Sequence, residues 1–433
     1  MTGRSTLTRV ARNAGALYLV HIVSFLVPVF EIPVLARALG AAQYGQILFC
    51  QALALTASLW VEYGFNINAA QQAALAHERP SDLNRLFSQV LLAKCLLAAP
   101  VVLLLLAAWG MGLLDAYLGA VALLAFVLAY FLAFGFSPIW YFQGRERMAA
   151  PVLLDVVLRL CGLAILAALV RTPDDFWLAL PLLAIPPMLN TILTNIWCRY
   201  EIGALRWDAA GAWGQIRQGF HFFVYRSASS LAMSAVPVFL GVTSGKQAVG
   251  EFAPPEKLIK GMTSLALPFL TAVFPVFARR LRDRTDAATM RIPIIVLAGV
   301  GVTVLVGVAL AAWLGPWVLD LMLGQGFPEA RLVYDALLAV APLRIMSQSI
   351  AMILLIPAGR AKQASYVISA GSILGVLLGS CLSVFYGGLG MAAGLVAAEA
   401  GLLAVLLGVA VRVVRRAGGS APDAGVESAE DRT

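Results

Sequence analysis

The stretch NRLFSQVLLAKCLLAAPVVLLLLAA, residues 84–108, decides the fold. From Val90 onward its only charged residue is Lys94. A helix needs ~20 predominantly apolar residues to cross the ~30 Å hydrocarbon core of a bilayer, and this run supplies them with Pro100 inside. Membrane helices tolerate such a proline where neighbours satisfy the freed backbone group. Comparable blocks recur in both directions along the 433 residues. Twelve spans are expected, at 14–38, 44–70, 84–108, 113–138, 149–170, 176–198, 218–241, 250–277, 291–315, 329–356, 364–386 and 388–411.

Composition agrees with that reading. The chain is 61% hydrophobic and 12% charged, with a mean hydropathy of +0.86. Soluble domains carry ~25% charged residues, so a soluble enzyme is excluded. A transmembrane barrel is not expected, because its strands alternate apolar and polar residues and give only moderate hydropathy. Five well-separated cysteines (Cys50, Cys95, Cys161, Cys198 and Cys381) form no metal or disulfide pattern. The N-terminal arginines and the Ala36-Arg37-Ala38 element resemble a signal peptide, but His21, Pro28, Glu31 and Pro33 interrupt the apolar run. It is read as the first span, retained.

The cations orient the chain. With the N-terminus in the cytoplasm, inner segments hold 21 of the 31 Lys and Arg residues, and outer loops hold only Arg37, Arg171, Lys246 and Arg331. That asymmetry follows the positive-inside rule and puts both termini in the cytoplasm. Six cations remain within or beside spans: Lys94, Arg159, Arg226, Lys257, Lys260 and Arg344. The net charge of +8 is therefore a topology signal, and nucleic acid is not an expected partner. No loop is long enough for a folded extramembrane domain.

A weak internal repeat divides the chain. Val27-Pro28-Val29-Phe30 recurs as Val236-Pro237-Val238-Phe239, and each is followed by a Gly-x4-Gly turn, Gly40 to Gly45 and Gly245 to Gly250. The expected domains are 1–208 and 209–416, with a disordered cytoplasmic tail at 417–433. Six spans per half make the halves parallel repeats about an axis along the membrane normal, an arrangement known in transporters with a site between the halves.

Several motifs are familiar in order and spacing. They are Leu17-Tyr18-Leu19 through Pro28, Leu35-Ala36-Arg37-Ala38-Leu39-Gly40, Tyr44-Gly45 and Glu62-Tyr63-Gly64-Phe65-Asn66. Trp140-Tyr141-Phe142-Gln143-Gly144, Val249-Gly250 with Pro255-Glu256-Lys257-Leu258, and Tyr386-Gly387-Gly388-Leu389-Gly390 with Glu399 continue the series. Over nearly the whole chain these resemble the Wzx-type polysaccharide-transport (oligosaccharide flippase) family of the multidrug/oligosaccharidyl-lipid/polysaccharide exporter superfamily. Pro255 and the charged Glu31 depart from its pattern. The resemblance implies an all-α polytopic membrane protein with about twelve transmembrane helices in two six-helix lobes around a central cavity. It implies transport, by alternating access, of undecaprenyl-pyrophosphate-linked oligosaccharides across the bacterial inner membrane for O-antigen, capsule or exopolysaccharide assembly. No covalent chemistry and no cofactor are implied. A polysaccharide polymerase and a chain-length regulator are the protein partners such a role suggests.

The embedded polar residues fit that cargo. Ionisable groups deep in a membrane are costly and face a cavity or one another, and Arg and Lys suit phosphate oxygens. Lys94, Arg159, Arg226, Arg344, Asn66 and His21 are the expected cavity residues. Glu31, Glu62, Asp155 and Glu399 are candidates for coupling to H+ or Na+, although Asp155 and Arg159 at i,i+4 also suit a simple ion pair. Lys257 and Lys260 are expected at the periplasmic mouth, and Asn190, Asn195, Gln348, Trp140 and Tyr141 either contact sugar or join helices. A multidrug extruder of the same superfamily is the alternative, and a membrane-embedded polymerase a more distant one.

Overall fold

Apolar runs in lipid must satisfy their backbone polar groups internally, and this chain does so with helices throughout. The computed structural model describes residues 2–76, 80–283 and 287–419, with side chains at 27, 29–76, 80–220, 223, 233–281 and 289–415. Among them there is no strand. The first half contains α1 (Thr2–Glu62), α2 (Phe65–Leu75), α3 (Pro80–Gly110), the short α4 (Asp115–Leu118), α5 (Val121–Gly135), α6 (Ile139–Gly144), α7 (Ala149–Leu169) and α8 (Phe176–Ile202). The second contains α9 (Ala209–Ser264), α10 (Ala266–Asp283), α11 (Ala287–Leu323), α12 (Ala330–Leu338), α13 (Val340–Ile350) and α14 (Ala361–Gly419). A π-helical turn, Ala351–Leu355, follows α13.

Nine segments among the described residues are long and apolar enough to cross a membrane, and three of these run to 47, 49 and 55 residues. At about 1.5 Å per residue the shortest of the three would extend ~70 Å, more than twice the hydrocarbon thickness. Each turns at a glycine: Gly40 (φ 70°), Gly245 (φ 87°) and Gly387 (φ 57°). Left-handed backbone of this kind is open to glycine without a Cβ clash. Counting each arm separately brings the number to twelve, which fits the expected spans. In α14 the arms are demonstrably antiparallel. Gly371, Gly375 and Gly379 pack on Leu402, Ala398 and Met391 in reverse order, the small-residue contact that lets membrane helices approach closely.

The Gly40 and Gly245 turns meet each other. A Cβ on Gly45 would fall onto the Lys246 carbonyl, and one on Gly250 onto the Ala41 carbonyl. Lys246 follows Gly245 as Ala41 follows Gly40, so the contact is reciprocal, as a two-fold axis between the turns would make it. The two glycine turns are therefore equivalent positions, whereas the Val-Pro-Val-Phe matches end 10 and 6 residues before them, about one helical turn out of register. At this end Tyr117 Oη also donates to the Gly241 carbonyl at 2.7 Å, and the Arg37 guanidinium donates to the Leu321 carbonyl near the end of α11. At the opposite end Tyr63 stacks on Phe223, centroids 4.7 Å apart, and Gln72 donates to Gln215 at 3.0 Å.

The largest apolar core runs through α1, α5 and α8 into α9 and α11–α14, so the two halves share it. Outer faces carry exposed large apolar residues, among them Leu104, Val306 and Trp313, as lipid contact requires. The expected second span ends early. Tyr63 (φ 43°) and Gly64 (φ 78°) both adopt left-handed backbone, which separates α1 from α2.

Candidate functional site

Helix geometry brings charges from both halves to one depth. Glu31 on α1 and Lys257 on α9 stand roughly 14 Å and 18 Å from the Gly40 and Gly245 turns, at about 1.5 Å of rise per residue. Two cations lie within electrostatic range of the Glu31 carboxylate without a direct ion pair among the described residues: Lys257 across the junction of the halves, and Arg159 of α7 within its own half. Lys257 therefore lies well inside the bundle, deeper than the mouth position expected for it. Lys260, one turn further along, pairs with Glu256 at 2.9 Å.

Glu31 shares a small cavity with Arg159, Tyr130, Leu182, Leu183, Pro186 and Pro187. The two prolines lack the amide hydrogens that would bond to the Leu182 and Leu183 carbonyls four residues earlier. Carboxylate, phenol and guanidinium thus line one cavity beside a proline-broken turn. Gln51 donates to Tyr130 Oη at 3.1 Å and fixes the ring. Tyr130 was not among the expected residues. Its setting in the apolar run Val121–Gly135 reads as packing, and only the arrival of Gln51, Glu31 and Arg159 from other helices reveals its polar role.

Arg159 also faces a second, larger cavity of about 180 Å³ in the first half, lined by Glu62, Ser137, Asp155, Asn190, Thr191 and Thr194 among others. Arg159 Nε donates to Asp155 Oδ2 at 2.9 Å, and Asn190 Nδ2 donates to Asp155 Oδ1 at 3.1 Å. Asn190 Oδ1 is buried without a hydrogen-bond partner, an acceptor left available to a ligand. Asn66 donates to Glu62 Oε1 at 2.8 Å across the Tyr63-Gly64 break. The arrangement combines cations suited to anionic oxygens with carboxylates.

Other expected residues go elsewhere. Lys94 is 2% exposed, and its ammonium donates to the Ser137 carbonyl at 2.9 Å, just past the end of α5. That is a favourable position for a cation beside a helix C-terminus, behind the polar cavity rather than in it. Arg344 of α13 binds Glu399 of α14 through Nε at 2.8 Å and Nη2 at 2.7 Å, and it also touches Met233 Sδ of α9. Asn195 donates to the Phe136 and Thr191 carbonyls, and Trp140 and Tyr141 are buried in a secondary core; all three join helices. The side chains of His21 and Arg226 lie outside the described residues, as does most of the 417–433 tail.

Comparison with known proteins supplies the setting. The family model described as "Polysaccharide biosynthesis protein" matches residues 10–281. The chain is 27% identical over 406 residues to a protein of Escherichia coli (strain K12), covering 92% of this chain and 95% of that one. It is 25% identical over 385 residues to a protein of Shigella dysenteriae, covering 88% and 94%. Both carry the name "Putative O-antigen transporter". Among solved structures, an inward-facing multidrug resistance MATE family transporter of the MOP superfamily superposes with a TM-score of 0.66 at 15% identity, covering 91% of this chain and 96% of that one. The lipid II flippase MurJ in an inward closed conformation gives 0.65 at 11% identity, covering 94% and 90%. At those identities the two structures establish the fold.

Proposed function

The chain belongs to the polysaccharide biosynthesis protein family, and from that premise we propose that it is a flippase for lipid-linked oligosaccharides. The cargo is an undecaprenyl-pyrophosphate-linked repeat unit, moved from the cytoplasmic to the periplasmic leaflet of a bacterial inner membrane, with both termini in the cytoplasm and no covalent change. The observation that carries this reading is the Glu31 cluster, where Glu31, Tyr130 and Arg159 line one small cavity and Lys257 of the second half lies within electrostatic range of the carboxylate. The names of the O-antigen transporter relatives supply the cargo class. The multidrug alternative has the fold in its favour and no feature of this cluster.

Physical chemistry suggests how the cluster works. A pyrophosphate entering between the halves, taken as residues 1–208 and 209–416, competes with Glu31 for the two cations. Protonation of Glu31 removes the competitor, so a proton gained on one side favours cargo binding and its loss on the other favours release. That links H+ movement to alternating access without any further cofactor. Asp155, held by Arg159 and Asn190, keeps Arg159 in place while Glu31 changes state. A pivot between the reciprocal glycine turns suits such a cycle, because small residues there allow two helices to roll with little side-chain rearrangement.

The decisive experiment reconstitutes the purified protein in vesicles with a polyprenyl-pyrophosphate-linked oligosaccharide loaded in one leaflet. Accessibility of the sugar to an external lectin is then followed over time. The expected result is protein-dependent appearance of the sugar outside, lost in Lys257→Gln and Arg159→Gln. Failure of the wild-type protein to move this lipid, with export of drug cations instead, overturns the reading.

A further inference from the structure

A second concavity lies away from the junction of the halves. Between α3, α5 and α8 a groove of about 480 Å³ is lined by Leu91, Leu132, Phe136, Ile192 and Ile196, with Arg199 at one end. That volume is in the ~300–1,000 Å³ range of ligand clefts. Leu132, Ile192 and Ile196 are each more than two-fifths exposed, so the groove opens sideways to the bilayer. Its wall is mostly hydrocarbon. Thr191 donates to the Ala133 carbonyl at 2.6 Å, and the Asn195 amide is taken by the Phe136 and Thr191 carbonyls. Little polar surface is left there to recognise a sugar.

The Arg199 end sits at headgroup level. Exposed Tyr200 is its chain neighbour, exposed Trp207 and Trp213 follow in the same connection from α8 into α9, and aromatic residues of this kind concentrate at the membrane–water interface. Arg206 follows Leu205, itself part of the groove wall. The nearby carboxylates are occupied: Glu201 by Arg145 and Arg147, and Asp208 by Arg85. Donors from Gln89, the Gly211 amide and Arg85 hold the Asp208 carboxyl below the usual carboxylate range. Arg199 and Arg206 form no ion pair among the described residues.

We propose that this groove binds one anionic glycerophospholipid, with an acyl chain against α3, α5 and α8 and its phosphate on Arg199 and Arg206. Basic positions beside clefts between membrane helices recognise anionic headgroups in this way. A resident lipid fits the position better than cargo does, because no residue of α9–α14 contributes to the wall, whereas cargo crosses between the halves. Such a lipid fills the cleft that α3 leaves against α8 and steadies the first half.

Delipidated protein titrated with palmitoyl-oleoyl phosphatidylglycerol or the matching phosphatidylcholine, read by native mass spectrometry, tests the assignment. The expected result is one retained phosphatidylglycerol and a preference of about 30-fold over phosphatidylcholine, corresponding to ~1 kcal/mol for each arginine at an anionic surface. Replacing both arginines, Arg199→Gln with Arg206→Gln, should bring retention to the phosphatidylcholine level. Ile192→Trp, at a lipid-facing position that tolerates bulk, should exclude both lipids. Equal retention of the two lipids, or unchanged phosphatidylglycerol retention in the arginine double variant, overturns the proposal. So does displacement of phosphatidylglycerol by an equal concentration of a polyprenyl phosphate, which would make the groove a cargo site.

Discussion

Arg159 in the first half and Arg344 in the second both bind a carboxylate deep within the helices, and both are largely shielded, at 21% and 17% side-chain exposure. Their partners differ in origin. Asp155 lies one turn from Arg159 on the same helix, so the pair joins nothing that is not already joined. Glu399 comes from α14 to meet Arg344 of α13, with Met233 of α9 as third neighbour, so this pair ties three helices. Cavities flank Arg159 on two sides, whereas Arg344 has its carboxylate at two nitrogens. An arginine–carboxylate pair borders cavities, and belongs to the proposed site, where the pairing is local, and fastens helices where it is long-range.

The strongest challenge to that contrast is to cut the fastener. Arg344→Met leaves Glu399 buried without its cation, which costs about 3–5 kcal/mol for pairs of this kind. It should sharply lower the thermal midpoint of the purified protein and its level in the membrane. The double variant Arg344→Met with Glu399→Leu removes both charges and should recover most of the stability and all of the export. A stable double variant that exports nothing would move Arg344 into the transport site and end the distinction.

The next largest effect probes what the halves have in common. Gly45→Val and Gly250→Val each force a side chain onto a backbone carbonyl of the opposite helix. Overpacking of this kind costs about 1–3 kcal/mol. Because the contacts are reciprocal, the two variants should lose stability and export to the same degree. Unequal losses, seen in parallel melting curves, would show that the backbone symmetry does not extend to function.

Much of this molecule was legible in its sequence, and the limits are physical. Spans could be read because crossing hydrocarbon demands ~20 apolar residues in a row, a local property. The Asp155–Arg159 pair was visible because i,i+4 spacing puts both on one helix face. The Gly-x4-Gly repeat could be seen, but its reciprocal contact could not, since that depends on how α1 crosses α9. Lys94 was expected in the cavity because a deep lysine needs a partner. Its partner proved to be a main-chain carbonyl, Ser137, exposed where α5 ends before Pro138, and no side-chain pattern reports such an acceptor. Glu31, Lys257 and Tyr130 were individually visible or hidden, and only tertiary packing joins them.

Arg159→Gln should lower stability less than Arg344→Met, because Asn190 still donates to the Asp155 carboxylate it leaves behind, while export falls about tenfold or more as a charge-assisted contact to the cargo is lost. Export measured alongside melting separates it from Arg344, where both fall together. Glu31→Gln sharpens the point, since it mimics the protonated carboxyl. Cargo should still bind, and the dependence of transport on an imposed pH gradient should disappear. A variant that kept its full response to the gradient would remove Glu31 from the coupling step.

The smallest effect is expected one turn apart on a single helix. Lys260 pairs with Glu256 at i,i+4 and is 39% exposed, so Lys260→Gln should alter stability by only about 0.3–0.5 kcal/mol and leave export intact. Lys257, within electrostatic range of Glu31 across the halves, should be different: Lys257→Gln should abolish export although the fold persists. Both changes remove the same charge from α9 and alter its helix propensity alike, so any difference in transport must come from what each ammonium faces. If the two variants export equally well, the junction of the halves is not where the cargo is held. In that case the 180 Å³ cavity around Asp155 and Asn190 would have to act within the first half alone, and the contrast between Arg159 and Arg344 would become one between two structural pairs.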